Sequence, residues 1–318
     1  MQYKYIFGPV PSRRLGISLG IDLLPYKTCS FSCIYCECGA TTHKTRERKE
    51  YVPTNAVIAE LADYLAKSPP PDFITFSGSG EPTLHTGIGE IIAFLKKNYP
   101  NQKIAVLTNA SLLSDAEVRR ELSAIDLLVP TLNGATMPVF KKISRPAKGI
   151  TPDEIADGLQ AFQQEFAGKM HLALFILEGL NTDESELLAL KKQILQIKPD
   201  LVQLNSLDRP PAESFVKPTS KETLEKIIEF LNLEEEAKIP VKIISKYRSR
   251  REIRSYREDI EQAILGTIAR RPCTIEDLEA VLGLNRLELD KYIDVLEKEG
   301  SITTIIEKRG IFYSLKKD

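Results

Sequence analysis

Cys29-Ser-Phe-Ser-Cys33-Ile-Tyr-Cys36 is the stretch from which the rest of this sequence is best read. Three cysteines stand in a C-x3-C-x2-C register, with the aromatic Tyr35 just before the third. Thiolates are soft ligands that suit iron–sulfur clusters and zinc. A loop this tight can wrap three thiolates around three corners of a cube of iron and sulfide, which leaves one iron without a protein ligand. Chance alone gives this register in on the order of one chain in a thousand at this cysteine content. A structural zinc site takes four ligands, commonly from two C-x2-C knuckles. There is no second knuckle here, although Cys38 and His43 lie close enough in sequence to be weighed as a fourth ligand.

The apolar run 17–23 leads into this loop, and from there to about residue 244 short apolar runs alternate with helical periodicity. Residues 73–77, 104–107, 127–129, 172–177 and 201–204 read as strands. Their continuous apolar character suits a sheet buried on both faces. Val57, Ile58, Leu61 and Leu65 mark one face of a helix starting at Thr54, and Ile88, Ile91, Ile92 and Leu95 mark another. Capping boxes predict further helix starts where Ser114 meets Glu117, Thr151 meets Glu154 across Pro152, and Thr219 meets Glu222. Strand–helix alternation of this kind predicts an α/β fold with a parallel sheet. Six such units are too few for an eight-fold barrel.

The polar or glycine-rich pieces 29–36, 78–82, 108–109, 131–133, 178–179 and 205–209 all fall just after predicted strands. In a parallel barrel those positions share one mouth, the carboxyl-terminal face on which active sites are built. A single deep site is expected.

The cysteine loop resembles the signature of radical S-adenosylmethionine (radical SAM) enzymes. Phe7-Gly-Pro-Val-Pro-Ser-Arg-Arg-Leu-Gly16, the loop with its preceding Lys27 and Thr28, and Ser77-Gly-Ser-Gly-Glu-Pro-Thr83 are similar to one branch, the wyosine-synthetase-like proteins. By motif spacing the similarity covers residues 1–245. It implies a partial, TIM-like (β/α)6 barrel and a [4Fe–4S] cluster held by Cys29, Cys33 and Cys36. It also implies S-adenosyl-L-methionine chelating the open iron, and an external electron donor of the flavodoxin or ferredoxin type. Cleavage of the sulfur–C5′ bond then yields a 5′-deoxyadenosyl radical. Gly78-Ser79-Gly80-Glu81-Pro82 resembles the GGEP element of this superfamily, with Ser79 as an extra small residue. Its glycines permit the turn, and Glu81 can accept from the methionyl ammonium. The resemblance places Asn109, Thr131 and Asn133 against the ribose or carboxylate. Arg145 and Arg209 can bring guanidinium groups to the mouth, or stand as solvated loop residues. Wyosine synthetases carry further cysteines near the N-terminus for a second cluster, whereas none precedes Cys29 here.

A chain of 318 residues suggests two domains. Its 42% apolar and 27% charged content is that of an ordinary globular protein. The net charge of −1 means that any nucleic-acid contact must come from a local patch. No apolar stretch approaches the length of a membrane span, and the first residues carry no long apolar run. Five cysteines, three of them clustered, suit a reducing compartment, so a cytoplasmic protein with no membrane partner is expected. His43, His85 and His171 share no metal-ligand spacing.

Residues 246–258 read as a basic linker, with six basic residues and one acidic one from Lys246 to Arg257. Residues 259–318 form a small second unit. Helical patterns at 260–270, 274–282 and 286–299 are stopped by Gly300, and two β runs at 302–306 and 311–315 flank Lys308-Arg-Gly310. That order predicts a winged helix-turn-helix. Three roles compete for it: binding RNA or DNA, docking a protein, or bracing the barrel. The adjacent basic residues favour nucleic acid, while Glu276, Asp277, Glu279, Glu288 and Asp290 make its own helices acidic. The barrel branch also resembles enzymes of tRNA base modification. The expectation is therefore a radical SAM enzyme acting on a structured RNA. A small-molecule or protein substrate, or an iron–sulfur transcription regulator, are the alternatives.

Overall fold

The apolar runs become strands of one eight-stranded sheet in the computed structural model, which describes residues 3–12, 14–207, 211–244, 258–270, 272–282, 284–307 and 310–316. Strand β1 (Ile6–Ser12) turns back antiparallel into β2 (Gly16–Ile21). The cysteine loop follows, pinned by a two-residue parallel pair, β3 (Thr28–Cys29) and β4 (His43–Lys44). Helix α1 (Thr54–Lys67) then leads to β5 (Phe73–Phe76), α2 (Ile88–Asn98) to β6 (Ile104–Thr108), and α3 (Ala116–Leu122) to β7 (Leu127–Pro130). Helices α4 (Met137–Ser144) and α5 (Pro152–Glu165) lead to β8 (Lys169–Phe175), and α6 (Glu184–Ile197) to β9 (Leu201–Asn205). Helices α7 (Lys221–Leu231) and α8 (Leu233–Ala237) precede β10 (Val241–Ile243).

The sheet order is β1-β2-β5-β6-β7-β8-β9-β10, and every neighbour pair after β1–β2 is parallel. The six predicted strands are β2 and β5 to β9; β1 and β10 extend the sheet at its two edges. Both faces are dry. Ile74, Phe76, Val106, Leu128, Leu172 and Leu204 pack against the helices, whereas Ala105, Leu127, Val129 and Ala173 close around Leu15 on the other face. Burying a side chain such as Leu15 contributes about 1.5–3 kcal/mol. Arg14, beside it in the β1–β2 turn, donates from Nη2 to Asn205 Oδ1 at 2.5 Å. Flat strands set about 4.8 Å apart would separate β2 from β9 by roughly 24 Å, far beyond one side chain. The sheet therefore curls toward a barrel that its own ladder leaves open.

Two helix starts shift by one residue from the predicted boxes. Asp115, not Ser114, caps α3 by accepting from Glu117 N, and Ser114 instead donates to Glu154. Ser220, not Thr219, caps α7, because the Thr219 hydroxyl is drawn to Ile176 O at 2.9 Å. Thr151 caps α5 as expected, accepting from Glu154 N at 3.1 Å.

The C-terminal unit runs α9 (Glu258–Arg270), α10 (Ile275–Leu282), α11 (Arg286–Lys298) and the antiparallel hairpin β11 (Ile302–Glu307) with β12 (Gly310–Leu315). Its core of Ile260, Ile264, Ile268, Leu278, Leu289 and Leu296 is separate from the core of the sheet. Gly300 adopts φ 73° at the end of α11, a conformation that suits glycine. Apart from Glu258, the basic linker lies outside the described residues. Among the described residues no helix is long and apolar enough to cross a membrane.

Candidate active site at the carboxyl ends of the strands

Two loops meet where β2 and β5 end. A Cβ placed on Gly80 would lie 2.1 Å from Thr28 O and 3.0 Å from Leu24 Cβ. Only a glycine lets the second loop approach the backbone that carries Cys29, and Glu81 N then donates to Thr28 O at 3.2 Å. Gly78 is equally tight, since its Cβ would meet the carboxyl carbon of Asp22 at 2.3 Å. Asp22 holds this loop by accepting from Ser79 N and Ser79 Oγ at 3.2 and 3.0 Å. Burial pushes the Asp22 carboxyl up from its ordinary range.

Glu81 is only 2% exposed and acts as a brace. Its Oε1 accepts from Thr83 N, Thr83 Oγ1 and Thr108 Oγ1 at 3.2, 2.7 and 2.5 Å, and its Oε2 from Asn109 N at 2.7 Å. Burial raises its pKa despite these four bonds. The expected ammonium acceptor is thus first a tie between the ends of β5 and β6. Pro82 opens a single 3-10 turn behind it.

Asn109 also turns toward the cysteines. Its Nδ2 donates to Ser30 Oγ at 2.8 Å and reaches Cys29 Sγ at 3.5 Å, while its Oδ1 accepts from Ser111 N. The cysteine loop is fastened on its far side to the end of α4. Ser32 N donates to Ser144 O, Ile34 N to Ile143 O, and Ala147 N to Ser30 O. Phe31 packs edge-on against Phe140 with ring centroids 5.5 Å apart. Tyr35 stacks on Phe175 at 4.4 Å and accepts from Asn133 Nδ2, whose Oδ1 accepts from Phe175 N at 2.7 Å. Phe31, Tyr35, Asn109, Thr131 and Asn133 line a cavity of about 40 Å³ between the loop and the ends of β6 and β7. A separate cleft of about 510 Å³ is lined by Asp22 and Ser79 together with Tyr26, Tyr51, Asn285 and Arg286.

The three thiols are half-buried and differ in character. Burial pushes Cys29 up to about 12 and Cys33 up as well. Cys36 falls to about 5, chiefly through a hydrogen bond from Cys38 and then through the Lys27 charge, against the opposing effect of burial. Lys27 Nζ donates to Cys36 Sγ at 3.1 Å. Burial depresses the Lys27 pKa, but Cys36, followed by Cys38 and Cys29, more than reverses this and leaves it raised. Among the described residues no three His, Cys, Asp or Glu side chains converge on one metal ion. A cube with thiolates at three separate corners asks for a wider spread than a single ion does. This donor set of three soft sulfurs fits such a group.

Sequence reasoning quoted Lys27 only as part of a motif and gave no role to it, to Asp22 or to Glu186. Glu186, in the first turn of α6, is buried and accepts from Ala135 N and from Thr136 N and Oγ1. Arg145, exposed, ends α4 with φ 45° and pairs with Glu213. Arg209 lies outside the described residues. His85 is structural, with Nε2 at 2.8 Å from Val52 O.

Cysteine-bearing and glycine-rich loops interlocked at the carboxyl ends of a parallel sheet mark a site of the radical SAM type. The chain belongs to the radical SAM superfamily of enzymes, whose family model matches residues 23–190. It is 30% identical over 96% of its length to a UPF0026 protein of Methanocaldococcus jannaschii, 94% of which it covers. It is also 31% identical over 99% of its length to a Brachyspira hyodysenteriae protein named GTPase Obg, and spans 46% of that protein. Its fold is similar to that of Streptococcus suis SuiB solved with bound S-adenosylmethionine, with a TM-score of 0.53, 15% identity, and coverage of 75% of this chain and 52% of that one.

Proposed function

We propose that this chain is a radical SAM enzyme that binds a [4Fe–4S] cluster through Cys29, Cys33 and Cys36 and S-adenosyl-L-methionine beside Gly78, Gly80, Glu81 and Pro82. One observation carries the reading. The two loops interlock at Gly80 and Thr28, which supports a cofactor held by one lying against a cluster held by the other. SuiB, of similar fold, was solved with S-adenosylmethionine bound, which supports that cofactor. When bound, the two groups supply a 5′-deoxyadenosyl radical that takes a hydrogen atom from the substrate.

The chain's own residues orient and shield. Oε2 of Glu81, which accepts from Asn109 N, has a lone pair left for an ammonium. Asn109, Thr131 and Asn133 offer polar atoms at the strand ends for the ribose and carboxylate. Phe31, Ile34 and Phe140, all buried, keep water from the back of the cysteine loop.

The substrate class we infer is a structured RNA, with a tRNA base as the target, as the wyosine-synthetase-like resemblance implies. The three-helix and hairpin order of the C-terminal unit supports a winged helix, and the basic residues 246–257 adjoin it in sequence. An electron donor of the flavodoxin or ferredoxin type completes the partners. Anaerobic reconstitution tests the core of this reading. It should yield about four irons and four sulfides per chain, lost in Cys33→Ala. With a strong reductant the loaded protein should slowly cleave S-adenosylmethionine to methionine and 5′-deoxyadenosine. One tightly bound zinc and no sulfide would end the reading.

A further inference from the structure

We infer that Lys27 is a positioning residue that fixes a positive charge on the Cys36 thiolate and so raises the one-electron potential of the cluster, a role that rests on the cluster reading above. The residue is 2% exposed, and its ammonium lies 3.1 Å from Cys36 Sγ. An ammonium is costly to bury without a counter-charge. No described carboxylate pairs with it. The groups around it that favour its charge are sulfurs: Cys36 first, then Cys38 and Cys29.

The backbone holds it there. Lys27 has φ 58°, a left-handed conformation that side-chain-bearing residues rarely adopt. Its carbonyl accepts from both Thr42 N and His43 N at 3.1 Å, so the chain returning from the cysteine loop clamps the residue that precedes it. Position, burial and partner are thus all set by the fold.

The electrostatic consequence is direct. A cluster ligated by three thiolates is electron-rich, and its reduction adds one more negative charge. A buried cation on a ligating sulfur favours the reduced form more than the oxidised one. Hydrogen bonds to the sulfurs and net charge are among the factors that set such potentials. The electron comes from the external donor, and the cation lowers the demand placed on it.

The test is an anaerobic redox titration followed by electron paramagnetic resonance, with iron and sulfide assayed on the same samples. Wild type is measured first. If it binds no iron and sulfide, the cluster reading itself fails, before any variant is compared. With the cluster present, Lys27→Met should lower the ratio of reduced to oxidised cluster about tenfold at a fixed potential, a shift of 59 mV for one electron. Lys27→Arg should retain most of the wild-type value. Should the methionine variant be too labile to titrate, Lys27→Gln keeps a donor to Cys36 without the charge, and the same downward shift is expected. Full cluster content at the wild-type midpoint in either neutral variant would overturn the proposal.

Discussion

Replacing Glu81 with alanine tests whether the brace between β5 and β6 governs the whole site. Two opposing effects have to be weighed. The substitution removes a buried carboxylate whose ionisation is penalised by desolvation, which favours the variant. It also strands the N–H groups of Asn109 and Thr83, and each buried unsatisfied donor costs about 1–3 kcal/mol. The hydroxyls of Thr83 and Thr108 can rotate to other acceptors, so the two backbone donors dominate. A net loss of about 2–4 kcal/mol is expected, near 5–10 °C in Tm for a domain of this size. Thermal unfolding of the cluster-free protein measures it. Iron retention after reconstitution should fall in parallel, because Asn109 carries the contact to Cys29 Sγ. An Ala variant with unchanged Tm and full iron would refute the reasoning.

The same group gives a pH signature with a defined sign. Burial raises the Glu81 pKa in the folded state, so between its unfolded and folded values the native protein holds the extra proton. Stability then falls as pH rises from the unfolded carboxylate range through the folded value, and levels off above it. Relative to Glu81→Gln, the wild type should therefore gain stability on acidification through that window. Denaturant titrations of both proteins at a series of pH values check this, and a difference that is flat or of opposite sign would count against it.

Gly80→Ala should cost about 1–3 kcal/mol through overpacking, because the new methyl meets the carbonyl of Thr28, which cannot rotate away; a variant with wild-type stability and iron content would show that the loops separate freely. Binding to tRNA should weaken with salt at about −0.7 to −0.9 in log–log slope per phosphate contact. Changing Arg250, Arg251 and Arg254 together to Ala should flatten that slope by about two to three units while sparing the cleavage of S-adenosylmethionine without RNA. Salt-insensitive binding by the wild type would move the search for substrate to small molecules or proteins.

The strands were legible because burial on both faces leaves almost unbroken apolar runs, as at β6 and β7. Strand β10 was not, since three residues with no fully buried side chain carry too short a pattern. The misplaced caps at Ser114 and Thr219 each stand next to a second capable residue, and only tertiary partners decide between neighbours. At the site, spacing picked out the three cysteines and the glycine loop because both are written in consecutive residues. Asp22 and Glu186 went unread, and Lys27 was given no role, for the opposite reason. A charged side chain looks solvated in a sequence, and its burial depends on partners far along the chain, such as Ser79 for Asp22 and Thr136 for Glu186.

Backbone strain points to the same place. Among the described residues six non-glycine residues have positive φ. Arg145, Lys198, Asn232 and Lys238 end helices, where a left-handed residue is ordinary. Lys27 and Ala110 end none. Lys27 at φ 58° directly precedes Thr28 and Cys29, and Ala110 at φ 62° directly follows Asn109. The two strained residues therefore flank the pair whose side chains meet at Asn109 Nδ2 and Cys29 Sγ. Such conformations cost on the order of 1–3 kcal/mol each and persist only where surrounding contacts over-determine them. Those contacts are present: two N–H groups on the Lys27 carbonyl, and Thr108 Oγ1 accepting from Ala110 N at 3.0 Å. Packing of the sheet would not require either bend. Holding the Cys29 thiol and the Asn109 amide at fixed positions on neighbouring loops does, and that makes the junction of these loops the place where the fold gives up stability for a preset arrangement.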